Sequence, residues 1–215
     1  MRFQSLFGSL VFSMIIIASC SHRLKGPSKA YMLANDPKPV MIDGFAFKPK
    51  LSTHLDKVLN SGNDTLALSV NSTYVYYPFG LIKSQRKPNL GVLRNFKNTN
   101  EFVQKVDGEL DLLILTHRAS KIILYFTPNN GSKYCDLVKG TVSDDDVKFI
   151  NGIKIGMGIQ DFYSCFFDQF PLVHIEKYKV FVLQSSDEKK HFYTFENGNL
   201  KSVRFSSYKR FGSNY

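Results

Sequence analysis

The chain has no tryptophan among its 215 residues, and only three cysteines and five histidines. Those histidines (His22, His54, His117, His174 and His191) are far apart, and neither H-x-x-x-H nor C-x-x-C occurs. Metal centres need ligands at clustering intervals, so no metal is expected. No G-x-S-x-G marks a nucleophilic serine. Gly156-Met157-Gly158 supplies two glycines of a dinucleotide fingerprint, but Asp161 stands where the third belongs. A strand meander follows instead of a parallel βαβ unit, so no cofactor is expected either. Asp144-Asp145-Asp146 lacks the spacing of a calcium loop and reads as the start of a helix. No run of basic residues is longer than Lys189-Lys190, so the net charge of +10 reads as a solvated surface suited to anionic partners.

Nor is there a run of the ~20 apolar residues that a spanning helix needs. The densest apolar stretch, Leu10 to Ile17, has the length of a secretory h-region, and Arg2 precedes it. Small residues Ala18-Ser19 come next and then Cys20, so that Ile17-Ala18-Ser19-Cys20 resembles the bacterial lipobox. That resemblance implies cleavage after residue 19 and acylation of Cys20, palmitate included. Two or more acyl chains give stable attachment where one is marginal. It also implies an envelope location, with Ser21 resembling outer-membrane-directed examples that face the periplasm. Nucleic acid is then not an expected partner. With Cys20 assigned to lipid, Cys135 and Cys165 remain as a pair in an oxidising compartment. A bridge between them closes a loop of about 31 residues, worth about 3–4 kcal/mol on the chain-entropy account; two buried thiols are the other reading.

What the chain does have is aromatic content, 19 Phe and 11 Tyr, much of it in strand-like runs. Residues 20–48 carry Pro27, Pro37 and Pro39 and read as a lipidated tether. Residues 49–131 read as a β-rich part. It has a short helix over Leu51–Leu59, a strand running from Leu66 to Tyr76, a helix over 100–106, and a hairpin of 110–116 with 121–127. Residues 132–215 read as two helices and three strands. Ser143 with Asp146 three residues on is expected to cap a first helix. Ile159, Phe162, Tyr163, Phe166, Phe167 and Phe170 form one helical stripe, stopped by Pro171. Strands over 178–184, 191–196 and 200–206 follow, the last two joined by Asn197-Gly198, a strong hairpin signal.

This order, with Ile155-Gly156-Met157 heading the second helix and Phe195 to Leu200 forming the turn, resembles the BamE-type envelope lipoproteins and the β-lactamase inhibitor protein. The resemblance covers about residues 141–208 and implies an α+β fold, an antiparallel β-rich body whose C-terminal part is a two-helix, three-strand unit. It further implies a non-catalytic protein that binds or scaffolds other envelope proteins, with the meander's face or edge as the contact surface. Two other classes stay open. One is a hydrolase or thiol enzyme centred on Cys165 with His174 or His191; the other is a lipid- or glycan-binding module with a deep aromatic pocket.

Overall fold

The computed structural model describes residues 36–83, 89–99, 111–126 and 134–207, all within one compact unit, Asp36–Tyr215. Cys20 and its surroundings, the helix expected over 100–106 and the turn expected at 128–131 lie outside the described residues.

Twelve strands dominate: β1 Val40–Ile42, β2 Phe45–Pro49, β3 Leu55–Gly62, β4 Thr65–Val70, β5 Lys97–Asn98, β6 Asp111–His117, β7 Ser120–Phe126, β8 Asp136–Val142, β9 Phe167–Gln169, β10 Val180–Gln184, β11 Lys190–Glu196 and β12 Asn199–Ser206. Among the described residues helical structure is limited to α1 Thr73–Tyr76, α2 Ile159–Ser164, α3 Leu172–Ile175 and two 3₁₀ turns. Nine strands form one sheet in the order β3-β4-β10-β11-β12-β8-β7-β6-β5, and β1-β2-β9 form a second. Only the β4–β10 contact is parallel within the nine-stranded sheet. Strands from both sides of residue 132 thus share one sheet, and β1 and all but the last residue of β2 lie within the stretch read as tether.

The expected α+β class with a two-helix C-terminal unit is therefore corrected to a mainly β fold, for reasons specific to each segment. No helix follows Ser143; the three aspartates instead reach the β6–β7 turn. Ser120 donates its hydroxyl to Asp144, His117 Nε2 lies 2.9 Å from Asp146, and the Arg118 guanidinium is 4.0 Å from both Asp145 and Asp146. The His117 contact holds the Asp146 carboxyl below the usual carboxylate range. The aromatic stripe begins as helix α2 but leaves it after Ser164, because Phe167 to Gln169 complete the ladder of β2. A tertiary pairing has overridden a local pattern.

The helix expected over Leu51–Leu59 is a 3₁₀ turn and then strand β3. Two bulges, at Leu55/Lys57 and Val58/Asn60, insert an extra residue each. Inward positions consequently fall three apart (Leu55, Val58, Ser61, opposite Val70, Leu68 and Leu66), which mimics helical spacing. The strand expected to run to Tyr76 stops at Val70, and α1 follows.

The C-terminal meander forms as expected. Asn197 and Gly198 both have positive φ, 52° and 74°, as a type I′ turn requires. Its inward side chains pack under α2. Phe162 is the hub, with ring centroids 4.8 Å from Tyr193, 5.0 Å from Phe195, 5.1 Å from Phe181 and 5.2 Å from Phe166. Phe47 of β2 and Phe167 of β9 are fully buried and join the same core, which places the small sheet on this side of the large one.

Candidate functional site

Strand pairing turns scattered residues into rows. In β10, β11 and β12 the residues Phe181, Leu183, Tyr193, Phe195, Val203 and Phe205 point to the core, so their neighbours point the other way. On that outward face the register aligns Ala67, Val182, Phe192, Arg204, Thr141 and Lys121 across six strands. The next row aligns Ser69, Gln184, Lys190, Ser206, Lys139 and Ile123. Four cations, Lys121, Lys139, Lys190 and Arg204, are thereby gathered from four adjacent strands. Lys190 and Lys139 are two strands apart, as are Arg204 and Lys121, or about 10 Å at ordinary strand spacing.

Among the described residues none of the four has a carboxylate within ion-pair distance. Arg204 instead lies over the Phe192 ring, 4.1 Å from its centroid. A guanidinium held flat against a ring keeps its edge donors free for a second partner. The face is thus an apolar row of buried Val182 and half-buried Phe192, bordered by positive charge that has no carboxylate partner among the described residues.

The meander's two edges are both taken: β4 pairs with β10 and β8 pairs with β12. Strand addition to the meander, one of the two expected binding modes, is therefore closed, and its outward face remains. At β6–β8 that face carries a small apolar cluster of Ile114, Ile123 and Val138.

The other candidate residues are dispersed. Cys135 and Cys165 are separate thiols. Cys135 precedes β8 and its Sγ lies 3.8 Å from the Lys83 carbonyl, while Cys165 closes α2 with Sγ 3.4 Å from the Asp161 carbonyl. The bridge raised from the cysteine count is not formed. Burial pushes the Cys135 thiol up to about 11 and raises the Cys165 thiol, so neither environment favours a thiolate.

His174 and His191, the partners considered for Cys165, are engaged elsewhere. The His174 ring packs on Phe45 with centroids 3.6 Å apart, and its Nε2 is buried without a partner among the described residues. His191 is buried in the core, and its Nε2 lies 3.0 Å from the Val75 carbonyl. That carbonyl can only accept, so Nε2 carries the proton and Nδ1 accepts from Tyr193 O–H at 3.1 Å. Tyr193 in turn accepts from Tyr74 O–H at 2.6 Å. Burial lowers His191 to about 3 and raises both phenols well above their ordinary value. The result is a directional, neutral hydrogen-bond chain inside an aromatic core.

Tyr74 also borders a pocket of about 180 Å³, with Thr53, Ser72, Asn151, Cys165 and Phe166 among its walls. Ligand pockets for drug-sized molecules run from about 300 to 1,000 Å³, so this one suits water or a very small solute. It is not the deep aromatic-lined cavity that a lipid or glycan reading requires. Groups of three or more metal-ligating side chains are absent among the described residues.

Comparison with protein-family models, with curated proteins and with solved structures returned no match.

Proposed function

We propose that this chain is a non-catalytic, lipid-anchored protein of the bacterial cell envelope, held at the periplasmic side of the outer membrane by acylated Cys20. Its work is to bind an acidic envelope protein. The observation that supports this reading is the outward sheet face, where Lys121, Lys139, Lys190 and Arg204 stand without carboxylate partners among the described residues, around the Phe192–Val182 row. Like charges this close repel one another. At about 10 Å in water each such pair costs about 0.4 kcal/mol, which an acidic partner relieves. Complementary charge of this kind speeds encounter and selects partners, and the apolar row supplies contact area. The anchor rests on the lipobox Ile17 to Cys20.

The test is site-specific photo-cross-linking in intact cells, from a photoreactive residue at Thr141 and, as reference, at Asp145 on the β6–β7 side. Adducts of a defined mass from Thr141, suppressed by Lys139→Glu with Lys190→Glu, are the expected result. A Thr141 pattern no different from that at Asp145 removes the proposal. Fractionation of Cys20→Ser tests the anchor separately: that variant is expected to leave the membrane fraction.

A further inference from the structure

Most exposed apolar side chains of the body are scattered singly, as is normal. One group is not. Phe45 (43% exposed) sits on β2, and Leu172 (51%) and Val173 (88%) sit on α3, whose His174 ring packs on Phe45. The arrangement is rigidly made. β2 is hydrogen-bonded to β9, which leads through Pro171 into α3. Asp43, in the β1–β2 turn, accepts from the Lys177 ammonium and, at 2.6 Å, from Tyr178 O–H. Ile175 is fully buried. At about 100° per helical residue Val173 lies about 160° from it, so the fold drives Val173 straight outward. Geometry dictates that direction but does not require an apolar residue there, and an apolar cluster at a solvent boundary marks a contact surface.

We propose that the Phe45, Leu172 and Val173 face rests on the lipid bilayer to which the chain is tethered. This rests on the anchor reading above. The first described residue, Asp36, accepts a 2.7 Å bond from Lys48 Nζ, so the tether enters the body on β2 itself. Lys48 is three residues from Phe45, about 10 Å along a strand. Residues 21–35, between Cys20 and that point, span at most about 50 Å even fully extended. They carry Arg23, Lys25 and Lys29 and no carboxylate, so anionic headgroups draw this end of the body towards the lipid. A tether that short makes docking intramolecular, and a small apolar face is then enough. The face belongs to the elements that cover the core side of the nine-stranded sheet. Docking there leaves the basic outward face pointing away from the membrane and open to its partner.

The absence of tryptophan makes the test direct. Val173→Trp introduces a single indole at a site whose exposure tolerates it, and Asp145→Trp is the reference at the β6–β7 turn, where Asp145 lies 4.0 Å from the Arg118 guanidinium. Each full-length variant is examined on vesicles of phosphatidylethanolamine and phosphatidylglycerol containing brominated acyl chains. Each is examined in the acylated form and also as a Cys20→Ser chain with an N-terminal histidine tag held by a nickel-chelating lipid. The expected result is a blue-shifted emission and at least twofold stronger bromine quenching for Val173→Trp than for Asp145→Trp in both forms, reversed by adding Leu172→Asp. Equal quenching at the two sites on the chelating vesicles overturns the proposal whatever the fate of the native anchor. A blue shift without vesicles, marking a second copy of the chain on this face, overturns it too. A Cys20→Ser chain that still fractionates with membranes would refute the anchor while the chelating arm still decides the docking face.

Discussion

His191 and Tyr193 stand two residues apart on β11 and meet in the core, with ring Nδ1 3.1 Å from the phenolic oxygen. Both point inward from one strand, and the Tyr74 hydroxyl completes the chain. Because His191 is fully enclosed, its proton affinity is that of a neutral ring, about 3 against an ordinary 6.5. The unfolded chain binds a proton below pH 6.5 and the folded chain does not. Stability contributed by the neutral ring is therefore present above pH 6.5 and is lost as pH falls from there towards 3. Each pH unit inside that window removes up to about 1.4 kcal/mol. Urea unfolding at pH 7, 5 and 4 checks this: the midpoint is expected to fall steadily, and His191→Gln to flatten the slope.

Tyr193→Phe leaves both His191 Nδ1 and the Tyr74 hydroxyl without their partner. A buried polar group left unsatisfied costs about 1–3 kcal/mol, so a loss of that size is expected in chemical denaturation. The double variant Tyr74→Phe with Tyr193→Phe should cost less than the sum of the singles, because the two hydroxyls share one bond.

Phe162 touches rings from α2, β10 and β11 and the segment after α2. Phe162→Ala is expected to destabilise by about 3–5 kcal/mol, the range for emptying a large core site. Thermal unfolding of the two proteins measures it.

Gly140 in β8 sits where a Cβ would come within 2.6 Å of the Lys121 carbonyl and 3.0 Å of Ile122 Cα, both backbone. Neither atom can move without opening the β7–β8 ladder. Gly140→Ala is expected to cost about 1–3 kcal/mol, and hydrogen exchange should rise at Ile122 first.

With its thiol raised by burial, Cys165 should react with a thiol reagent at pH 8 more slowly than a free cysteine peptide. Cys135, buried, should not react until the chain is unfolded. Mass spectrometry after labelling in denaturant is expected to find both modified; an unmodified pair would mean a bridge.

The sequence made some of this readable and concealed the rest for definable reasons. The β6–β7 hairpin and the three meander strands follow from alternation and from Asn197-Gly198, because their inward residues keep a period of two. β3 carries a helix-like pattern because its bulges stretch that period to three. The stripe from Ile159 to Phe170 keeps helical spacing throughout, and only the open ladder of β2, about 120 residues earlier, turns its second half into β9. The basic face was invisible for a related reason. Lys121, Lys139, Lys190 and Arg204 are no run in the chain, and only the strand order and register bring them together. The acidic triplet is plain in the sequence, but its work of holding the β6–β7 turn depends on Ser120 and His117, more than twenty residues away.

β4 lies parallel to β10, pairing Leu66 with Phe181 and Leu68 with Leu183. Those partners are more than a hundred residues apart, so the loop between them must close before either strand is secured, and contacts of such separation form slowly. A chain delivered N-terminus first therefore has β3 and β4 waiting, unpaired on one side, until β10 has arrived. The nine-stranded sheet is therefore completed only once the last strands of the chain are in place, and those strands act as the timer of its assembly.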